Sequence, residues 1–475
     1  MIVLSETTSV CPECLKRVNA AYVIKDGAVY LEKECGGHGR FSCLISRDID
    51  DYKNWEADTV NIRPKEALRR AENGCPYDCG PCENHLQTAC CVLIDVTGRC
   101  DQSCGVCFAS ASMKHGPEPG LAEIEQKFDR LVQMSETRKF NIQLSGGEPT
   151  VRGDLPGIVK MAKSKGFEYV QLNTNGKRIG LDGDYAPMLK RAGVDAVFMQ
   201  FDGLSDDVYM NLRNEKLLDI KKKAVENCRG ARLPVALVPT IARGVNDHEI
   251  GAIIRFMLEN TDVIKGVHFQ PMSFFGRYPE GFGEKQRFTM FDTINEIGRQ
   301  TIIPKDDLIP ISTGHPLCCF YATFLKREDG SISCTSAGGR LTGGCCDDEP
   351  SYTSLNPCCP DEREKELRCP AEEPCCPPDI EIISKDRDYV RDKWKMAERV
   401  SEDGFDAFLD HMRENSFTIT GMAFQDAFSL DTDRLRRCRV QVLSEDGGLI
   451  PFCAYNLTDL DGNYLYRGER GRQSV

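Results

Sequence analysis

Between residues 91 and 272 apolar positions gather into short runs, and amphipathic stretches separate them. The runs are "CVLIDVT" (91–97), "KFNIQLS" (139–145), "FEYVQLNT" (167–174), "VDAVFMQF" (194–201), "PVALVPTIA" (234–242) and "KGVHFQPM" (265–272). Their length and their Val, Ile and Phe content predict strands. "AEIEQKFDRLVQM" (122–134) and "NDHEIGAIIRFMLEN" (246–260) instead repeat apolar residues at helical spacing. Six strand–helix units in succession predict an α/β architecture, with a parallel sheet or an open barrel over 91–285.

The ends lack that rhythm. Residues 1–60 open with "CPEC", continue through "AYVIKDGAVYLEK" with a "DG" turn, and reach "CGGHGRFSC", which predicts a small hairpin unit. Residues 61–90 combine a helix-like "RPKEALRRAEN" with the knot "GCPYDCGPCENHLQTAC". Residues 286–475 hold a Cys-rich stretch at 334–378 and close near "RRCRVQVLSEDGGLIPFCAYN", predicting an α+β C-terminal domain.

Composition narrows the class. Of 475 residues 25 are cysteine, and no apolar run spans a bilayer or resembles a secretion signal. The expectation is a cytoplasmic chain in a reducing compartment, where clustered thiols are metal ligands rather than disulfides. The thiol count also points to an anaerobe. A net charge of -13 argues against nucleic acid as a partner.

The chemistry centres on "CDQSCGVCF" (100–108). Cys100, Cys104 and Cys107 stand at C-x3-C-x2-C, one ligand short of a closed site, in the loop after the first predicted strand. Ligands bind at the carboxyl ends of strands in such folds. A zinc knuckle with a fourth ligand from elsewhere is the alternative. The second strand ends in "LSGGEP", where two glycines permit close approach to the backbone and Glu148 can take a cationic amine.

Cys100, Cys104, Cys107 and Phe108, with Ser145, Gly146, Gly147, Glu148 and Pro149, resemble the radical S-adenosylmethionine (SAM) superfamily. The resemblance implies a partial (β/α)6 barrel and a [4Fe-4S] cluster held by three cysteines. The fourth iron would chelate SAM, whose reductive cleavage gives a 5′-deoxyadenosyl radical. Asn173, Asp202 and Arg243 close later strands and are candidates for SAM contact, or equally for strand-end caps and salt bridges. The reaction needs a low-potential donor, a ferredoxin or flavodoxin. The run Lys221–Lys223 is either a docking patch for it or a solvated helix face.

Further thiols predict accessory sites. Cys75, Cys79, Cys82 and Cys90 read as a closed auxiliary [4Fe-4S] cluster, or zinc, with Cys91 facing the other way. Cys11, Cys14, Cys35 and His38 have zinc-ribbon or rubredoxin spacing, with Cys43 as an alternative to His38 and zinc or mononuclear iron as the metal. Cys438 and Cys453 flank a hairpin-like segment and are expected to join Cys318 or Cys319 in another cluster, or to be plain buried cysteines.

The order of these motifs, from the N-terminal "CPEC" unit and "GCPYDCGPC" to "GHPLCCF" and "IPFCAYN", is similar to a narrower branch. That branch comprises archaeal tetraether lipid synthases, also known as dihydropterin dimethyltransferases, and bacterial relatives of the thioredoxin-associated radical SAM (seleno)protein type. The resemblance implies hydrogen abstraction from an unactivated carbon. The first expectation is C–C bond formation on a lipid chain, through a tunnel lined by Phe269, Met272, Phe274, Phe275 and Tyr278; core packing is the alternative for that stripe. A lipid substrate would require a groove or peripheral attachment to a membrane. The second expectation is methylation of a polar small molecule such as a pterin. A non-catalytic iron–sulfur electron carrier is the third. One departure from the branch is the set Cys334, Cys345, Cys346, Cys358, Cys359, Cys369, Cys375 and Cys376, whose vicinal pairs suit redox exchange, a further cluster or docking of a thioredoxin-like partner.

Overall fold

The computed structural model describes residues 2–467 except 56, 58, 65–68, 115–117, 136–138, 280–282, 284–285, 337–393, 395 and 397–410. Of the eight cysteines between 334 and 376, only Cys334 falls among the described residues.

The N-terminal unit is an antiparallel sheet in the order β1 (Ile2–Val10), β2 (Arg17–Lys25), β3 (Ala28–Cys35), β4 (Gly39–Ser46). Asp26 and Gly27 both have positive φ, the geometry a two-residue hairpin between β2 and β3 demands. Helix α1 (Ile49–Lys53) follows, capped by Asp48, whose side chain accepts from Asp50 N. The helix expected over 63–73 is not found at its C-terminal half. Arg69 instead forms an isolated bridge to Cys82.

The barrel strands follow the predicted order. They are β5 (Cys91–Thr97), β6 (Asn141–Gly146), β7 (Val170–Thr174), β8 (Ala196–Gln200), β9 (Val235–Val238), the short β10 (Thr240–Ile241) and β11 (Ile264–Pro271). Pro239, which has no N–H for the ladder, separates β9 from β10. The connecting helices are α2 (Leu121–Met134), α3 (Leu155–Ser164), α4 (Lys177–Leu181), α5 (Tyr185–Ala192), α6 (Asp206–Arg213), α7 (Leu218–Gly230) and α8 (Ile250–Leu258), with α9 (Met290–Gln300) after β11. Alternation sorts the strand side chains. Val92, Ile94, Ile142, Leu144, Val170, Leu172, Val197 and Leu237 face the helices in one large core with Phe128 of α2 and Ile254 of α8. Of the lysine run, Lys222 and Lys223 are exposed and Lys221 is fully buried.

The described residues of 286–475 do not form a sheet of their own. Short β12 (Ile309–Pro310) and β14 (Ile332–Cys334) pair with β13 (Cys319–Lys326), which runs antiparallel to β15 (Ser416–Met422). β15 lies parallel to β11 at one edge of the barrel sheet. After α10 (Thr432–Arg436), β16 (Val440–Leu443) lies parallel to β5 at the other edge and pairs with β17 (Leu449–Pro451), before α11 (Phe452–Tyr455). The expected hairpin at 440–451 is present, but β16 uses its outer edge to extend the barrel. The parallel run thus reads β16-β5-β6-β7-β8-β9-β11-β15. Among the described residues, no helix is long and apolar enough to cross a membrane.

Candidate functional site

The loop after β5 carries Cys100, Cys104 and Cys107, and three elements fix it. From the end of β6, Gly147 N donates to Thr97 O and Glu148 N donates to Arg99 O, both at 2.8 Å. A Cβ on Gly146 would lie 2.1 Å from Thr97 O, and one on Gly147 would lie 2.2 Å from Arg99 O. These glycines therefore admit the chain's own backbone, one step before Cys100. From α6, Arg213 donates to Val106 O at 2.9 Å and forms a bidentate pair with Asp202, Nε to Oδ2 at 2.7 Å and Nη2 to Oδ1 at 2.8 Å. From the segment after β11, Cys107 and Arg277 exchange backbone hydrogen bonds at 2.8 and 2.9 Å, and Arg277 Nε donates to Cys104 O at 2.7 Å.

Several expected SAM contacts also carry bonds within the protein. The Glu148 carboxylate accepts from Thr150 N, Thr150 Oγ1 and Thr174 Oγ1 at Oε1 and from Asn175 N at Oε2, at 2.6–3.0 Å, so it ties the ends of β6 and β7 together. Burial pushes its carboxyl above the ordinary value. Asp202 is spent on Arg213 and on Thr240 N. Arg243 donates to Arg287 O and pairs with Asp292 of α9 at 2.6 Å. Asn173 lies on the inner face of the barrel and bonds Gln143 and Gln171. Ser145 is buried on the same face of β6 as Gln143. Phe108 packs on Phe452, centroids 5.5 Å apart, with the Arg467 guanidinium 5.7 Å from its ring.

Electrostatics and spacing both test whether these thiols suit a cluster. Burial, with Glu148, Cys104 and Asp101 nearby, pushes Cys100 up to about 12. Burial also raises Cys104, while the adjacent Arg213 guanidinium opposes the rise. Such thiols stay protonated until a metal displaces the proton. Among the described residues, only Cys11, Cys14, Cys35 and His38 bring their ligand atoms within 4.8 Å of one another. The loop thiols stand wider than a single ion requires, and that, with a cation beside one of them, fits a polynuclear anionic cluster.

The N-terminal tetrad is compact. His38 Nδ1 is 3.5 Å from both Cys11 Sγ and Cys35 Sγ, and Cys14 Sγ is 4.0 Å from Cys35 Sγ. The Gly37 backbone N–H and His38 lower Cys35 to about 6, whereas burial raises Cys11 to about 11. Cys43 packs with Leu31 and Tyr22 inside the sheet and is not part of the tetrad.

The remaining thiols group differently from their order in the chain. Cys79, raised chiefly by burial, is next influenced by Cys75 and Cys82, and then by Cys438. Burial raises Cys438, with Cys453 and Cys318 adding to the rise, and the Arg434 guanidinium lies near Cys318. Cys90 sits with its N–H on Arg439 O and adds to the charge felt by Cys319, so its neighbourhood is the C-terminal group. Sequence spacing could not show this, because β16 brings residues 438–443 alongside β5 only in the folded sheet.

The inner face of the barrel is polar. Alternation places Asp95, Gln143, Gln171, Asn173, Phe198, Gln200, His268, Gln270, Thr418 and Thr420 opposite the helix-facing core. Gln171 donates to Asn173 at 2.7 Å, and Asn173 donates to Gln143 at 3.0 Å. His268 Nδ1 is 2.7 Å from Thr420 Oγ1, and Phe198 lies between His268 and Trp394, tilted against both, with centroids 5.8 and 4.7 Å away. The stripe expected to line a tunnel is packing instead. Phe269 faces the helices, Met272 and Phe274 pack with Val106 and Leu212 with Tyr278 against them, and Phe275 joins Phe452.

Residues 94–257 match the radical SAM superfamily, and residues 3–47 match the HMPTM N-terminal zinc ribbon domain. The 7,8-dihydro-6-hydroxymethylpterin dimethyltransferase of Methanocaldococcus jannaschii is 34% identical over 475 residues, covering 95% of this chain and 93% of its own. A probable GTP 3',8-cyclase of Methanothermobacter marburgensis is 33% identical over 184 residues, 38% of this chain and 58% of its own. Among solved structures, Streptococcus suis SuiB bound to S-adenosylmethionine aligns at 15% identity and a TM-score of 0.38, over 46% of this chain and 48% of that one. With a relative this similar along nearly its whole length, the chain is a radical SAM enzyme and belongs to the family of the 7,8-dihydro-6-hydroxymethylpterin dimethyltransferase.

Proposed function

We propose that this enzyme methylates a pterin-type heterocycle bound against the inner face of the barrel. The polar lining carries the reading. A lipid chain offers no hydrogen bonds, and each amide it desolvated without a partner would cost about 1–3 kcal/mol. A flat heterocycle with alternating donors and acceptors pairs with Gln143, Asn173 and His268, and it stacks on Phe198. Gln171 Oε1 is buried without a partner among the described residues, which leaves one acceptor for such a ligand. The substrate in the name of the M. jannaschii relative is of the same class.

The enzyme works with a [4Fe-4S] cluster and SAM, which when bound supply one-electron reduction and radical hydrogen abstraction. Cys100, Cys104 and Cys107 would hold that cluster. Arg213 places a positive charge against Cys104, and Asp202 keeps the guanidinium in that place. Arg277 and the Gly146–Gly147 turn hold the loop backbone. Auxiliary clusters at Cys75/Cys79/Cys82 and at Cys318/Cys438/Cys453, and a ferredoxin or flavodoxin donor, belong to the same proposal.

The test is anaerobic. Reduced, reconstituted protein receives SAM with either 7,8-dihydro-6-hydroxymethylpterin or a membrane-lipid extract, and products are read by mass spectrometry. The expected result is a pterin carrying one or two added methyl groups. A coupled lipid product, with the pterin unchanged, overturns the reading in favour of tetraether-type chemistry.

A further inference from the structure

The last described residues form a short extended segment that touches two cysteine loops. An antiparallel bridge joins Thr458 to Tyr464, and Leu465 N donates to Leu457 O at 2.9 Å, which fixes the path of the segment. Tyr464 Oη donates to Phe108 O at 2.7 Å and lies 2.9 Å from Ser110 Oγ, at the exit of the C-x3-C-x2-C loop. Tyr466 Oη lies 2.7 Å from Pro76 O and 2.5 Å from Tyr77 O, and it accepts from Cys79 N at 3.1 Å. The Cys79 thiol itself donates to Pro76 O at 3.2 Å, the carbonyl that Tyr466 Oη also reaches. Between the two loops, Arg467 pairs with Asp95 on the inner barrel face at 3.0 Å and lies 4.9 Å from the Tyr455 ring.

We infer that Tyr466 is a positioning residue for the Cys75/Cys79/Cys82 loop, setting the reduction potential of the metal centre held there, and that Tyr464 does the same for the SAM-binding loop. The inference rests on the reading of those three thiols as an iron–sulfur site. The physical argument is local. A phenol at this point accepts from Cys79 N and lies within hydrogen-bond reach of the Pro76 and Tyr77 carbonyls just before it, and hydrogen bonds and solvent exclusion around a cluster set its potential. Phenylalanine keeps the ring, and with it the packing of Tyr466 against the Phe452 core, and deletes only the hydroxyl.

The experiment compares Tyr466→Phe, Tyr464→Phe and the parent protein, all full-length and reconstituted anaerobically. Redox titrations followed by EPR, with and without SAM, separate the SAM-responsive signal from the rest. Tyr466→Phe is expected to shift the potential and line shape of a SAM-insensitive centre and to leave the SAM-responsive one unchanged. Tyr464→Phe is expected to do the reverse. A second readout needs no metal. Iodoacetamide labelling of the metal-free protein, mapped by peptide, should show the Cys79 rate altered several-fold in Tyr466→Phe alone. Identical potentials in all three proteins overturn the inference, as does an equal shift of both centres in both variants. If the parent carries no iron on the 75–82 loop, the metal reading fails and the potential-setting role goes with it. Altered Cys79 labelling would then still establish the contact by itself.

Discussion

Gly147 shows how one missing side chain can control the site. Its absent Cβ would meet Arg99 O at 2.2 Å, and backbone cannot swing aside as a side chain does. Gly147→Ala is expected to displace the start of the cysteine loop and to lower iron retention and 5′-deoxyadenosine formation at least about tenfold. Gly153→Ala, where a Cβ meets nothing within 4 Å, should leave both unchanged. Iron analysis and product quantitation on the two variants check this. His268 gives a pH-dependent case. Burial holds its imidazole down to about 4, so the folded chain keeps it neutral while the unfolded chain takes up a proton below its ordinary value. The unfolded state then binds more protons, and stability falls as pH drops through the window from about 6.5 to 4, with about 2 kcal/mol lost by pH 5. Denaturant midpoints at pH 7 and pH 5 should converge in His268→Gln relative to the parent.

Among the elements, the segment after β11 has a role its composition hides. "SFFGRYP" reads as an aromatic wall, and what matters is the Gly-Arg pair inside it. Gly276 has φ +66°, and a Cβ there would lie 2.5 Å from Cys107 O. That close approach lets Arg277 run beside Cys107 and donate to Cys104 O and Ala111 O. Arg277→Met is expected to raise the KM for SAM about tenfold with a smaller change in kcat, because the loop loses support and keeps its thiols. Steady-state kinetics at saturating pterin decides it; an unchanged KM would mean the backbone bridge alone holds the loop. The strands of the barrel and the cysteine spacing were legible because each depends on neighbours a few residues apart. Glu148, Asp202 and Arg243 were legible as important positions, but their protein partners Thr174, Arg213 and Asp292 were not, because tertiary packing sets them. Tyr464 and Tyr466 left no local signal at all.

At the scale of the whole molecule, the N-terminal sheet meets the segments around 427–431 and 460. Asp431, on the turn before α10, accepts from Thr7 Oγ1 at 2.6 Å and from Tyr22 Oη at 2.8 Å in the N-terminal sheet, while Lys33 Nζ donates to Ser9 Oγ and Ala427 O. Leu460 N donates to Pro12 O, and Tyr77 Oη donates to Leu15 O, each beside the CPEC turn. The metal-binding unit is therefore docked on the segments that carry Cys75 to Cys82 and on the C-terminal turn. Metal binding that organises the tetrad should then stabilise more than its own sheet. Chelation of the tetrad metal is expected to lower the thermal midpoint of the remaining protein, and Asp431→Ala to lower it in the metal-loaded state by removing the partner of the buried Tyr22 hydroxyl. If docking transmits the effect, the two losses are not additive, and chelation lowers the midpoint of Asp431→Ala by clearly less than that of the parent. Calorimetry on the four states reads this directly. Fully additive losses would mean that the N-terminal unit and the barrel fold independently and that the contacts at Asp431 only decorate their boundary.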